Sequence, residues 1–489
     1  MTHTTFSAIQ PWKAGVRSAS ITTLVLASVA ALSACRGPRE PDVAAIYKLA
    51  ADEAIDTRRP VVLIPGILGS KLVDADGSKV WGAFTRGAVD ADYAEGARTV
   101  ALPMREGEPL ASLTDTVRAD SVLDVLVADI GPFSGLNFAA YLGVLDVLNI
   151  GGFRDQTLGE SGAMDYNIGK EEGDPAHYTC FQYPYDWRRD LPESAATLGA
   201  FLAGVQDGVR RERGLADDAP VKVDVVAHSM GGLVLRYYLR YGTQALPEDG
   251  SLPELTWEGA KIVGNAIFVG TPNGGSVQSL EQLIDGLNLN PLFPNYRASI
   301  LGTMPSIYQI LPRPRHGRVI DEDGNSVDFL DPAVWEANGW GLAAPGGDKA
   351  LKWLLHDIPE EDHPRVAREH LAKCLARAKQ VQRALDLPAS PPEGTRLFLF
   401  AGDAEKTKDI LLVKANGKLD CVSYEAGDDT VTRESALMDE RKGRPFTPRL
   451  DSPIDWHRVQ FIFETHVGLT SSRAFADNLL HILLEEPRD

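Results

Sequence analysis

Cysteine is scarce in this chain: Cys35, Cys180, Cys374 and Cys421 are the four among 489 residues. That excludes a disulfide-dense scaffold, and since none stands at metal-ligand spacing, no metal and no cofactor are expected. Beyond Cys35 an odd number remains, which leaves Cys180, Cys374 and Cys421 as core thiols or as one structural bridge and a leftover. Positive charge is also in deficit: 49 Lys and Arg against 68 Asp and Glu leave a formal charge of −19. Such a surface repels phosphate backbones, which excludes nucleic acid as the expected partner, and it weakens purely electrostatic docking on anionic lipid. No apolar run reaches the roughly 20 residues that span a bilayer as a helix. What the chain does have is a globular composition, 44% hydrophobic and 24% charged, at a length that supports a large core.

The N-terminus reads as an address. Lys13 and Arg17 precede an apolar run from Ile21 to Leu32, and Ser33-Ala34-Cys35 follows. An apolar run of about a dozen residues after a basic start suits the core of an export signal. The ending Leu32-Ser33-Ala34-Cys35 resembles a bacterial lipobox, in which the cysteine is lipidated and becomes the new first residue; an ordinary cleaved signal with Cys35 incidental is the alternative. The expected organisation is a lipoprotein signal peptide over 1–35, a tether over 36–58 and an α/β domain over 59–489. Exported in this way, the protein is expected at a membrane of the bacterial cell envelope, on its outer-membrane or periplasmic side, held by its N-terminal lipid.

From Pro60 onward the texture alternates. Short apolar, β-branched runs at 61–64, 178–183, 221–226, 262–269, 397–400, 421–424 and 459–463 read as strands, and helical patterns occupy 195–213, 233–241 and 472–484. Strands alternating with helices predict a mostly parallel central sheet with helices on both faces. Two stretches interrupt the alternation and read as insertions: a lid at about 71–175 and a cap at about 276–395.

Ala227-His228-Ser229-Met230-Gly231-Gly232 lies between a predicted strand and a predicted helix, the context of a nucleophile elbow, with Ala227 where glycine is commonest. A serine hydroxyl needs a positioned base, and that base an orienting carboxylate, in the chain order Ser, acid, His for an α/β-hydrolase. Asp428 and Asp429, just past a predicted strand, are the candidate acids, and His466, at the end of the last predicted strand, is the candidate base. An oxyanion hole needs two backbone donors: Met230 follows the serine, and Ile67 stands in the loop Pro65-Gly66-Ile67-Leu68-Gly69-Ser70 after the first strand.

In that order the pieces resemble the lecithin:cholesterol acyltransferase family. The motifs that carry the resemblance are the 65–70 loop, Pro184-Tyr185-Asp186-Trp187-Arg188, the Ser229 elbow, Gly270-Thr271-Pro272-Asn273-Gly274-Gly275-Ser276, Pro305 to Pro312, Gly427-Asp428-Asp429-Thr430-Val431, and His466. The resemblance implies Ser229, Asp428 and His466 as a triad and favours Asp428 over Asp429. It implies Ile67 and Met230 as oxyanion donors, and a lid within about 71–100 where Trp81 would be an acyl or interface contact. No cysteine pair brackets that segment as in animal members. The expected activity is that of a serine esterase on lipid acyl esters, a phospholipase or O-acyltransferase. A carboxylesterase, triacylglycerol lipase or thioesterase, and a non-catalytic lipid-binding lipoprotein, are the alternatives.

Overall fold

The computed structural model describes residues 40–52, 58–84, 89–123, 125–128, 136–139, 141–156, 178–288, 294–445 and 447–487. Cys35, the export signal and parts of the expected 71–175 insertion, chiefly 157–175, lie outside the described residues. Residues 43–489 form one unit, to which all that follows refers. Among the described residues no helix is long and apolar enough to cross a membrane.

Six strands make the central sheet: β1 (Val61–Ile64), β2 (Cys180–Gln182), β3 (Val223–His228), β4 (Val263–Val269), β5 (Arg396–Gly402) and β6 (Arg458–Ile462). Across the sheet they run β6-β5-β4-β3-β1-β2, every neighbouring pair parallel. β1, β3 and β4 are buried throughout, as a parallel sheet covered on both faces requires. Strand alternation deals their side chains to two apolar clusters. Val61, Leu63, Val226, Ile267 and Phe400 join one; Val62, Ile64, Val225, Phe268 and Leu399 join the other. Helices Val43–Asp52, Leu142–Ile150 and Arg473–Leu480 complete the first cluster, and helices Leu191–Glu212 and Met230–Tyr241 the second. This is the expected α/β-hydrolase fold.

Departures from the sequence expectations have local causes. Helix Leu191–Glu212 starts before Ala195 because Pro192 sits in its first turn, where a missing N–H is harmless. The stretch expected as an irregular cap between β4 and β5 is largely helical and ends in the helix His363–Asp386, 24 residues long. The strand expected at 421–424 does not belong to the central sheet. It is part of Leu419–Gly427, which pairs antiparallel with Glu405–Val413 in a separate three-stranded sheet. The strands Ser70–Val73, Lys79–Trp81 and Arg118–Val122 form another small antiparallel sheet directly after β1. Cys180, Cys374 and Cys421 are all free, so the bridge option falls: they sit on β2, on the long cap helix and on the hairpin.

Candidate active site

β3 ends at His228 and the next helix begins at Met230, leaving Ser229 alone in the turn with φ 53° and ψ −128°. A left-handed φ on a residue with a Cβ costs of order 1–3 kcal/mol and persists only where the surroundings impose it. Here they do. The Ser229 N–H donates to the Val269 carbonyl at 2.8 Å, and the two glycines that follow let the helix press against its neighbours. A Cβ on Gly231 would stand 2.3 Å from the Pro65 carbonyl oxygen, and one on Gly232 would stand 2.0 Å from Thr271 Oγ1. That close approach is why helix Met230–Tyr241 starts on glycines, three residues before the apolar pattern at Leu233 announces it.

Ser229 Oγ lies 2.9 Å from His466 Nε2, and His466 Nδ1 lies 2.8 Å from Asp428 Oδ2. Asp428 is buried, and its other oxygen accepts from the Thr430 and Val431 amides at 3.1 and 2.6 Å. The His466 N–H also donates to the Asp428 carbonyl at 2.7 Å. Asp429 points away: it is exposed, at φ 77°, with its carboxylate accepting from Thr430 Oγ1. The geometry thus separates the two candidate acids. Gly270, at φ 56°, clears the ground beneath the pair, since a Cβ there would sit 3.2 Å from both Asp428 Oδ2 and His466 Cε1.

The 65–70 loop touches the nucleophile. A Cβ on Gly66 would stand 2.7 Å from that of Ser229, and Gly69 N–H closes the turn on Gly66 O at 3.1 Å with Leu68 at φ 62° between them. The amides of Ile67 and Met230 make no hydrogen bond among the described residues. Two motifs with no evident chemistry turn out to brace this region. Tyr185 Oη donates to Pro65 O at 3.1 Å, Trp187 Nε1 donates to Ser70 O at 3.2 Å, and the buried Arg188 is paired with Asp186 and Asp115. In the 270–276 motif, Asn273 accepts from Arg236 of the elbow helix at 2.8 Å and donates to Ala436 O, while Ser276 Oγ donates to Thr430 O at 2.8 Å. The motif therefore straps the nucleophile's helix to the Asp428 loop.

Trp81, expected as an acyl or interface contact, is buried at 3% exposure. Its Nε1 donates to Leu68 O at 2.7 Å and its ring meets Trp187 edge-on at 5.6 Å. It supports the loop from behind and offers no aromatic surface to solvent. His228, the residue before the nucleophile, contacts the site through its ring: Nε2 lies 3.0 Å from the His466 carbonyl oxygen and Nδ1 lies 2.8 Å from Tyr141 Oη. Burial, then the proximity of His466, holds its pKa down at about 3. Tyr141 was not singled out in the sequence, and no motif there marks it.

Residues 169–338 match the family model for lecithin:cholesterol acyltransferase. No curated protein matches the chain. Among solved structures, a chain of the Tle4-Tli4 complex is 16% identical with a TM-score of 0.53, over 87% of this chain and 98% of that one. Mature Bacillus licheniformis lipase BlEst2 is 11% identical at TM-score 0.33, over 87% and 92%; lipase 1 from Pelosinus fermentans is 12% identical at 0.32, over 88% and 99%. This protein has an α/β-hydrolase fold, and its residues 169–338 match the lecithin:cholesterol acyltransferase family model.

Proposed function

We propose that the protein is a serine esterase of lipid acyl esters, a phospholipase or O-acyltransferase, in which Ser229 is the nucleophile, His466 the base and Asp428 the orienting acid. The observation that carries this reading is the unbroken line from Ser229 Oγ through the His466 ring to Asp428, at 2.9 and 2.8 Å, on a serine held in a left-handed turn. Ser229 Oγ attacks the acyl carbonyl and passes its proton to His466 Nε2. Asp428 holds Nδ1–H and stabilises the imidazolium that forms. The developing oxyanion takes hydrogen bonds from the Ile67 and Met230 amides. Breakdown returns the proton to the departing alcohol oxygen and leaves the acyl group on Ser229. Water or a second alcohol, deprotonated by His466, then releases the acyl group. Hydrolysis and transfer share every step up to that acceptor.

A fluorophosphonate probe should label the wild-type protein and not Ser229→Ala. With phosphatidylcholine vesicles labelled on each acyl chain, the wild type should release one chain, and added sterol or another alcohol should divert label into a new ester if transfer operates. Full turnover by Ser229→Ala would overturn the assignment. Attachment through Cys35 is the second part of the proposal, motivated by the lipobox-like Leu32-Ser33-Ala34-Cys35. Cells fed labelled fatty acid should mark the wild-type chain and leave Cys35→Ala unmarked and larger.

A further inference from the structure

The base and the oxyanion loop approach the nucleophile from strands on opposite sides of β3, and no single ladder pairs those two strands. The loop leaves β1; His466 follows β6, which lies beyond β3, β4 and β5 in the strand order. A line of side chains does join them. The Gly66 N–H donates to Tyr141 Oη at 2.7 Å, Tyr141 Oη is 2.8 Å from His228 Nδ1, and His228 Nε2 is 3.0 Å from the His466 carbonyl oxygen.

Chemistry admits one direction for these bonds. An amide N–H only donates, so the phenol oxygen accepts at Gly66; a carbonyl only accepts, so His228 carries its proton on Nε2. The neutral ring then presents a bare Nδ1, and the phenol O–H donates to it. Both side chains are 5% exposed, and burial drives the Tyr141 pKa well above its ordinary value, so neither partner ionises where an imidazole base operates. The line is neutral and fully satisfied from end to end, which in a dry interior makes it stiff.

We infer that Tyr141 and His228 are positioning residues that set the spacing between the Gly66–Ile67 loop and His466, so that oxyanion donor and base meet the same tetrahedral intermediate in register. The inference rests on the reading of Ser229 as nucleophile. It predicts that breaking the line harms the transition state and leaves substrate binding alone, because neither side chain is required to touch the substrate.

Tyr141→Phe removes only the phenol oxygen and keeps the ring. His228→Asn keeps a polar group near Nδ1 and cannot reach the His466 carbonyl. On p-nitrophenyl butyrate each should lower kcat about 10–100-fold, up to the about 10²-fold of a misplaced group and short of the about 10²–10³-fold of a lost oxyanion donor, with KM within about twofold. Inhibition by an alkyl boronic acid, which forms a tetrahedral adduct on a serine oxygen, should weaken in parallel with kcat/KM. The double variant should be no worse than the worse single one, since one missing link already interrupts the line. Four results would overturn the inference: kcat within about twofold of wild type, losses confined to KM, losses that multiply in the double variant, or unfolding of both singles, which would mean that the bonds hold the fold rather than the spacing. Ser229→Ala, run alongside, separates the two readings. Turnover in that variant defeats the nucleophile assignment itself, whereas its inactivity beside an unimpaired Tyr141→Phe defeats only the relay.

Discussion

In direct contact with Ser229 shape is maintained mostly by uncharged groups: glycines against carbonyl oxygens, backbone amides against backbone carbonyls, apolar strands on both faces, with the Arg188 ion pairs farther out behind the 65–70 loop. The cap between β4 and β5 is joined to the body in another way, through buried charge. Asp190 accepts from Gln309 and faces Arg377 of the long cap helix at 3.4 Å, and within the cap Asp386, at the end of that helix, is shared by Arg313 and Arg315 at 2.9 Å each. Close packing places atoms to a fraction of an ångström and ignores pH. Buried ion pairs contribute little net stability but select one arrangement, and they respond to protons. The nucleophile thus sits where geometry is least negotiable, and the segment between β4 and β5 is attached by contacts open to tuning.

The sharpest way to break that contrast is at the acid. Asp428→Asn, which keeps the shape and loses the charge facing His466 Nδ1, should cut kcat about 10⁴-fold with the fold intact, whereas the exposed Asp429→Asn should stay within about twofold. Steady-state kinetics on a soluble ester decides between them, and equal losses would dissolve the distinction the structure draws. Next comes packing. Gly231→Ala pushes a methyl into the Pro65 carbonyl oxygen and should cost about 1–3 kcal/mol in denaturant unfolding at every pH.

The cap should behave oppositely. Burial, only partly offset by Arg377, pushes Asp190 from 3.8 up to about 7. The folded state therefore keeps a proton that the unfolded chain has released, so this stabilisation is whole below about pH 4 and is lost as pH rises through about 7. Asp190→Asn should match the wild type in melting temperature at acid pH and exceed it at pH about 8; a constant offset across that range would refute the charge account. The smallest effect expected is none at all: with Cys180, Cys374 and Cys421 free, a reductant should leave the melting temperature of the folded domain unchanged.

What was readable in the sequence was what is local. The strand-turn-helix around Ser229 declares itself within a dozen residues, and the 65–70 loop likewise, because apolar periodicity and a glycine turn are short-range signals. Asp428 and His466 were legible as positions after strands, and the choice of acid needed the family pattern. The hairpin that delivers Asp428 was misplaced. Glu405–Val413 opens on Glu-Lys-Thr-Lys-Asp, whose period-2 burial is masked by long charged side chains, and without that partner Leu419–Gly427 looked like one more central strand. The long cap helix was hidden for a similar reason, with Leu371, Leu375, Ala378 and Val381 buried at helical spacing among eight charged residues. Trp81 and Tyr141 owe their places to contacts far away in the chain, which no window of sequence displays.

The attachment of His466 to Asp428 has a consequence of its own. The two residues are fastened twice, ring to carboxylate and amide N–H to carbonyl, while a single contact links His466 to Ser229. The imidazole is therefore aimed from two directions by one residue, so its tautomer is set before the hydroxyl is engaged. Slow hydrogen exchange at the residue 466 amide would be the mark of that double fastening.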